Sequence, residues 1–235
     1  MTKPSKIART IASLSATVAW SCAMAYAQTQ PVSIEIANAP IRIRILVQSP
    51  ADTDTDLQAI CLFKSSAENK LHGSLVEANG KLKGLLDRVR TPDLFRGDLG
   101  ETLLVTPPKG ALGARKLLIA GLGDSQTFSP QRMQLVGEIV YTEAARLGVA
   151  HPFFAPTVID GGVSKFGASQ VAEQAITGFL RAARIDKVLK GANAPAGQSV
   201  TALTFLAGPQ HASDAREGDE KALAAAGDIF GRPAY

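Results

Sequence analysis

Three observations in the sequence predict an α/β layer fold with a mixed sheet. Strand-like and helix-like segments alternate along the chain, which is typical of layered α/β proteins. The apolar run Leu57 to Phe63 is continuous rather than alternating, as in strands that are covered on both faces. No internal repeat or linker separates these segments, so they are expected to form one domain.

The domain is predicted to open with a β-hairpin. The runs Pro31 to Ala37 and Ile41 to Val47 are rich in β-branched residues, and the second alternates Ile with Arg. A period of two places the isoleucines on one face of the strand and the arginines on the other. The segment Asn38 to Pro40 between the two runs fits a turn.

A helix and two buried strands are expected next. Leucines and a valine recur at helical spacing from Leu75 to Val89, where two glycines weaken the helix without ending it. The runs Glu101 to Thr106 and Lys116 to Ala120 are predicted to be buried strands. Leu118 is therefore expected to be buried, whereas Leu122, in the turn after the strand, is expected to face solvent.

The second half of the domain is predicted to continue the alternation. A helix is expected to begin at Ser129 and Pro130, with the serine as N-cap and the proline in the first helical position, and to end at Leu147. A polar, mobile segment is expected from Gly208 to Gly218. The remaining predicted elements are a strand within His151 to Ile159, a long helix Ala168 to Leu189, a strand Val200 to Leu206 and a short helix Glu220 to Phe230.

The first 27 residues have the three parts of a secretory signal peptide. A basic segment with Lys3, Lys6 and Arg9 is followed by the uncharged stretch Ile11 to Met24 and by the small-residue motif Ala25-Tyr26-Ala27. These features predict cleavage after Ala27, one domain over residues 28–235, and a periplasmic or secreted protein. A membrane anchor is disfavoured because the uncharged stretch is shorter than the roughly 20 residues that a span requires.

Charge and cysteine content exclude several classes of function. The chain has a net charge of +4, and three of its basic residues lie in the signal segment, which leaves +1 for the rest. Without a basic stripe, nucleic acid is not expected as a partner. Lipidation of Cys22 is disfavoured by the residues that precede it. If Cys22 is removed with the signal, Cys61 is the only remaining cysteine. It lies in an apolar run, where a buried, inert thiol is expected.

Three segments, in the same order and spacing, resemble the N-terminal domain of the leucyl (cytosol) aminopeptidase family. They are Gly97 to Val105, Arg115 to Asp124 with the sequence RKLLIAGLGD, and the helix Val171 to Val188. The matching positions in that helix are Gly178, Leu180, Ala183 and Asp186. The resemblance covers about Ile41 to Gly227. It implies a three-layer fold similar to macro domains, with a mixed, mostly parallel sheet between helices.

The metal-binding motifs of this family are missing from the sequence. In family members a second, C-terminal domain binds two divalent metals through motifs resembling TFDSGG and NTDAEGR, because several anionic oxygens are needed to bridge the cations. The sequence contains no NTDAEGR, and Tyr235 lies about where the linker to that domain begins in the family. The segment Thr157 to Lys165 echoes the aspartate-Gly-Gly motif but has no partner carboxylates.

The resemblance therefore leaves two functions open. The first is an exported, non-catalytic binding or interaction module, with no catalytic residue, no metal and no cofactor. The second is the N-terminal part of a split aminopeptidase, whose partner is a separately encoded catalytic chain. A protein partner or an oligomer fits either function, and no segment after the signal is long enough to span a membrane.

Two glycine-rich turns are weak candidates for a ligand site. Gly121 and Gly123 follow a predicted strand, where exposed N–H groups can approach an anion closely, although a tight turn explains the same glycines. Asp160, Gly161 and Gly162 form the second turn. If the fold is macro-like, the two turns are expected to flank one crevice at the strand ends, and acidic residues at both oppose a pyrophosphate.

Other polar groups do not predict a metal site. Asp52, Asp54 and Asp56 have the first spacings of a calcium loop, but positions six and twelve carry Leu57 and Phe63 instead of Gly and Glu. A solvated turn is expected there. Three histidines are too far apart in sequence to form a ligand pair: His72, His151 and His211.

Overall fold

A computed structural model describes residues 32–36, 41–66, 70–92, 94–195 and 197–230 of the chain. The predicted signal segment and the predicted hairpin turn lie outside these residues. No helix in this part of the chain is long and apolar enough to cross a membrane.

Within the described ranges, seven strands form one mixed sheet in the order β1-β2-β7-β6-β3-β5-β4. The strands are β1 (Ser33–Ile36), β2 (Arg42–Val47), β3 (Thr55–Leu62), β4 (Thr102–Val105), β5 (Ala114–Gly121), β6 (Phe153–Phe154) and β7 (Ala202–Ala207). The two outer pairs, β1–β2 and β4–β5, are antiparallel, and all pairs between them are parallel. The predicted mixed, mostly parallel sheet is therefore confirmed.

Helices cover both faces of this sheet. They are α1 (Gly73–Lys81), α2 (Leu85–Val89), α3 (Arg132–Leu147), α4 (Ala168–Gly191) and α5 (Ala212–Phe230). Cys61 of β3 belongs to a core cluster with residues of α3, α4 and α5, whereas its neighbours Ile60 and Leu62 belong to a second cluster with residues of α1 and α2. Because successive side chains of a strand point to opposite faces, the two clusters are two separate layers of core. The three-layer architecture is confirmed.

The two strands of the predicted N-terminal hairpin are present and paired. Strands β1 and β2 pair antiparallel, and Ile43 and Ile45 of β2 are fully buried. Arg44 points to the other face, where its Nε donates a hydrogen bond to Thr204 Oγ1 at 2.8 Å and its guanidinium stacks 5.6 Å from the centre of the Phe153 ring. The alternation of Ile and Arg in the sequence therefore predicts correctly which residues of β2 lie on each face of the sheet.

The first predicted helix is wrong as one continuous element. The chain leaves the helix after Lys81 and re-enters it at Leu85, with Lys83 and Gly84 both at positive φ (55° and 76°). The N–H of Gly84 donates to the Asn79 carbonyl at 2.8 Å and closes a turn. Two successive left-handed residues thus separate the helices, and glycine at position 84, the N-cap of α2, adopts this conformation without a steric penalty.

Two predicted helix starts differ from the observed ones. Helix α3 begins at Arg132, and Ser129 contributes its backbone carbonyl to a preceding turn rather than a side-chain cap. Helix α5 begins at Ala212, so the predicted mobile segment before Glu220 is largely helical. The reason is a close contact that polarity alone does not reveal: a Cβ added at Gly218 would lie 2.2 Å from the Ser169 carbonyl oxygen of α4.

The strand predictions need three corrections. The strand within His151 to Ile159 is limited to the two residues of β6. Strand β4 is not buried: it lies at the edge of the sheet, with Thr102 and Leu104 exposed. Leu122 does not face solvent; it is fully buried, because its N–H donates to the Leu62 carbonyl at 2.9 Å and the side chain enters the core below α3.

Helices α3 and α4 pack with their backbones in contact. A Cβ added at Gly178 would lie 1.9 Å from the Gln134 carbonyl oxygen, and one added at Gly137 would lie 2.0 Å from the Ala175 carbonyl oxygen. No side chain larger than hydrogen fits at either position without moving a helix.

A buried polar contact joins the same two helices. The Tyr141 hydroxyl donates to Asp186 Oδ2 at 2.8 Å, and Lys190 pairs with the same carboxylate. Burial and the hydrogen bond to Asp186 raise the pKa of the Tyr141 hydroxyl. Gly178 and Asp186, two of the positions that carry the family resemblance, are therefore residues of the contact between α3 and α4.

Candidate functional site

A cleft of about 470 Å³ lies where the parallel strands β2, β6 and β7 end. Since these strands run in the same direction, the loops that follow their carboxyl ends meet at one edge of the sheet. The N-terminal parts of α1, α4 and α5 close the cleft from the sides. The apolar side chains of its lining are Val47, Pro50, Ala155, Pro156, Val158, Ile159, Phe166, Ala168, Val171, Phe205, Leu206, Ala207, Pro209 and Ala215.

The carboxylates of the cleft are already partnered. Ser49 Oγ donates to Glu77 Oε2 at 2.6 Å, and Lys81, outside the lining, lies 3.2 Å from Glu77 Oε1. Ser74 hydrogen-bonds Asp160 Oδ2 through its hydroxyl and through its N–H, the latter at 3.2 Å. No lysine or arginine is among the described residues that line the cleft. The site is therefore apolar, with an acidic rim.

Asp160 lies in this lining, where it stabilises the start of α1. Besides its contacts with Ser74, its backbone carbonyl accepts the His72 N–H at 2.8 Å. The first N–H groups of a helix lack partners within the helix, and a carboxylate satisfies them and interacts favourably with the helix dipole. The structure thus gives this predicted site residue a structural task at the wall of the cleft.

Gly161 and Gly162 form the tight turn behind Asp160 and are not among the residues that line the cleft. A Cβ at Gly161 would lie 2.7 Å from the Phe63 ring, and Gly162 has a φ of 94°. Both positions therefore require glycine for packing and backbone conformation. Their N–H groups donate to the carbonyls of Thr157 and Ile159 at 2.9 Å each.

Gly121 and Gly123 also lie outside the lining of the cleft. Their N–H groups donate to the carbonyls of Glu101 and Gly97, both at 2.8 Å, and so are not free to bind an anion. A Cβ at Gly121 would lie 2.0 Å from the Asp98 carbonyl oxygen. The close approach of the segment before β4 explains these glycines, and the two turns do not flank one cleft.

The thiol of Cys61 is buried and faces the core. Burial raises the pKa of this thiol, which disfavours the reactive thiolate. The backbone of Cys61 is held by Thr157, whose Oγ1 accepts the Cys61 N–H at 2.9 Å and donates to its carbonyl at 2.8 Å. The segment that echoes the aspartate-Gly-Gly motif therefore begins with a residue that joins it to β3.

The acidic loop before β3 forms surface ion pairs. Asp52 pairs with Lys81, and Asp56 lies 3.2 Å from Arg115. No group of three His, Cys, Asp or Glu side chains that could hold a metal ion occurs in the described part of the chain.

The three histidines lie at separate places. His72 precedes α1 as its N-cap residue, and His151 Nε2 lies 2.9 Å from Thr201 Oγ1. His211 lines the cleft, just before α5. It directly follows the lining residues 205–210, but a cleft at this loop becomes visible only when the loops after β2, β6 and β7 are brought together by the fold.

The mixed sheet, its two helical layers and the cleft at the strand ends define an α/β domain of the macrodomain type. The chain belongs to the cytosol aminopeptidase family, whose N-terminal domain matches residues 59–191. No curated protein sequence matches the chain.

Two solved structures illustrate this likeness. A mutant of tomato leucine aminopeptidase superposes with a TM-score of 0.59 at 21% identity, covering 84% of this chain and 38% of the tomato chain. A Trypanosoma brucei macrodomain in complex with ADP superposes with a TM-score of 0.50 at 17% identity, covering 75% of this chain and 68% of that one. The chain thus spans little more than a third of the tomato enzyme's length, and at these identities the likeness shows the fold alone.

Proposed function

We propose that the chain is an exported, non-catalytic binding module that holds an apolar group of a ligand in the cleft between β2, β6 and β7. The observation that carries this proposal is the cleft itself. Its volume of about 470 Å³ lies in the usual range of roughly 300–1,000 Å³ for small-molecule sites, and its lining is mainly apolar. Burial of apolar ligand surface there supplies the binding free energy.

The charge of the lining defines the class of ligand. Glu77 and Asp160 lie at the rim, and no lysine or arginine is among the described lining residues. Lys81, outside the lining, offsets the charge of Glu77, whereas Asp160 forms no ion pair within the described ranges, so an anionic group near Asp160 meets like charge. A neutral or cationic apolar ligand avoids this repulsion. ADP, present in the Trypanosoma brucei macrodomain, is therefore not expected to bind here.

A matched pair of fluorescent dyes tests both parts of the proposal. N-phenyl-naphthylamine is neutral, and anilino-naphthalenesulfonate has the same aromatic framework with an added negative charge. We expect the neutral dye to bind with increased fluorescence and the sulfonate to bind at least tenfold more weakly. ADP added in excess is expected to leave the bound neutral dye in place.

A variant that fills the cleft locates the binding. Ala207 is half-buried in the lining, so Ala207→Phe places a ring in the cleft, whereas Ala194→Phe adds the same ring at an exposed position after α4. We expect the first variant to lose dye binding and the second to keep it. Equal binding by both variants, or displacement of the dye by ADP, would refute the proposed site.

Membership of the family favours a second function, in which the chain is the N-terminal part of a split metallo-aminopeptidase. In this case a separately encoded catalytic chain supplies the metals. Under both functions we expect the purified chain alone to release no chromogenic group from a leucine anilide, even with added manganese or zinc. The two functions differ in whether a catalytic chain binds to it. Recovery of a metal-dependent, chelator-sensitive activity together with a co-purified chain would favour the split enzyme.

The export part of the proposal rests on the first 27 residues. We expect the protein recovered from the periplasm to begin at Gln28. Intact-mass measurement tests this, because a retained signal or a lipid on Cys22 gives a different mass.

A further inference from the structure

Strand β4 leaves one edge of the sheet open. It is the last strand in the sheet order and pairs with β5, and no residue in the described ranges pairs with its outer side. In an antiparallel pair, alternate residues of an edge strand direct their N–H and C=O groups away from the neighbour. Such a row of groups is a template for another strand.

Apart from its short length of four residues, this strand carries none of the features that usually protect an edge against such pairing. Natural edge strands are commonly blunted by lysine, proline or an inward-pointing charge. Residues 102–106 of this chain have the sequence TLLVT, with no charge and no proline, and the prolines follow the strand. Leu104 is 42% exposed on this strand.

Two further exposed leucines lie near the start of this strand. Leu104 is paired with Leu118, which packs in the core layer below α3, so the Leu104 side chain is on the α3 face. Leu135 of α3 and Leu99 are 39% and 42% exposed. Leu99 directly precedes Gly100, and the Leu135 side chain lies 3.1 Å from the Cβ position of Gly100. The open backbone edge is thus bordered by an apolar surface.

We propose that β4 pairs antiparallel with β4 of a second copy of this chain and continues the sheet across a twofold axis. The charges at the two ends of the strand favour this occupant. Glu101 precedes the strand and Lys109 follows it. Antiparallel pairing brings the acidic end of one copy towards the basic end of the other, and a twofold interface requires a surface that complements itself in this way.

The small contact surface predicts a weak dimer. A four-residue edge and three leucines on each copy are smaller than a standard interface of about 1,600 Å². We therefore expect a dissociation constant in the range from about 10 μM to 1 mM. This interface is separate from the cleft, so neither proposal depends on the other.

Sedimentation equilibrium of the full chain tests the proposal through the charge of the edge. Because Leu104 is 42% exposed, Leu104→Lys is compatible with the fold. In the dimer it places one lysine from each copy at the junction between the paired strands. We expect at least a tenfold loss of dimer affinity. Ile185→Lys changes a residue of α4 that is 51% exposed and should leave dimerisation unchanged. Thr102→Lys is a second edge variant, and far-UV circular dichroism checks that each variant is folded.

Chemical crosslinking identifies the paired strands. The background variant Cys22→Ser removes the other cysteine, and Cys61 is buried. Leu104→Cys then introduces an accessible thiol at the edge strand. Antiparallel pairing about a twofold axis at Leu103 or Leu104 places the two residues 104 within roughly 8 Å on the same face, and a short bis-maleimide should link them. The same reagent should link Ile185→Cys far more slowly. A chain that stays monomeric at millimolar concentration, or a dimer that both edge lysines leave intact, would overturn the proposal.

Discussion

Asp219, in the middle of α5, is predicted to destabilise the folded protein at neutral pH. The residue is fully buried on the apolar face of the helix, near Ala215 and Ala222, and neither carboxylate oxygen has a hydrogen-bond partner among the described residues. Burial, with a smaller effect of the neighbouring Glu220, raises the pKa of this carboxyl well above its usual value. A buried polar group without a partner costs about 1–3 kcal/mol, and more when it is charged.

Replacing this carboxyl should therefore increase stability. We expect Asp219→Ala to raise the free energy of unfolding at pH 7 by about 1–3 kcal/mol, because the unsatisfied group is removed and alanine is a better helix former. Urea denaturation followed by circular dichroism measures the change. Asp214→Ala is the matched control: Asp214 is exposed in the first turn of α5, where its charge favours the helix, so its loss should cost about 0.3–1 kcal/mol.

The pH dependence gives a second, independent sign. Unfolded aspartate titrates near pH 4, and the folded pKa of Asp219 lies above that value. Between the two pKa values the folded state holds a proton that the unfolded state has lost, so stability falls as the pH rises through this window. The advantage of Asp219→Ala should thus grow from pH 4 to pH 7. A variant that is less stable than the parent at pH 7, or an advantage that does not change with pH, would show that the carboxyl has a partner in solution.

Five further substitutions test the packing. Leu118→Ala and Leu122→Ala should each lower the free energy of unfolding by about 2–5 kcal/mol, because both leucines are buried; a small loss at position 122 would mean that its side chain faces solvent. Gly178→Ala should destabilise by at least about 1–3 kcal/mol through its clash with α3, whereas Gly80→Ala, with no atom near its Cβ position, should stabilise by about 0.5–1 kcal/mol. Equal effects at the two glycines would contradict the helix contact. Tyr141→Phe should cost about 1–3 kcal/mol by leaving the aspartate of α4 without its hydroxyl donor, and an unchanged urea midpoint would exclude that hydrogen bond.

Local patterns predicted the elements whose residues alternate or repeat with a clear period. The Ile and Arg residues of β2 and the continuous apolar run of β3 gave their strands, because burial on one or two faces leaves a direct mark on the sequence. The family segments then gave the layer order. The structure adds the reason for two of their positions: Gly178 allows the close approach of α3 and α4, and Asp186 accepts the Tyr141 hydroxyl.

Features that depend on contacts between distant segments were not predictable in this way. The Gly-Leu-Gly sequence around Leu122 predicts a solvent-exposed turn, yet the hydrogen bond from Leu122 to Leu62 continues the sheet. The cleft combines loops after three strands with the starts of three helices, and residues such as Phe166 and His211 carry no local sign of that role. Among the predicted site residues, Asp160 reaches the cleft and the four glycines do not line it.

The glycines between the helices have a mechanical consequence for the cleft. With carbonyl oxygens only about 2 Å from the Cβ positions of Gly137, Gly178 and Gly218, helices α3, α4 and α5 cannot move closer, and any separation opens a void along backbones that now touch. Val171 and Ala215 line the cleft from this stiff side. The opposite wall is α1, a nine-residue helix that is tied at its start to the loop after β6. We therefore expect the shape of the wall formed by α4 and α5 to stay the same for every ligand. Ligands of different size should be accommodated by displacement of α1.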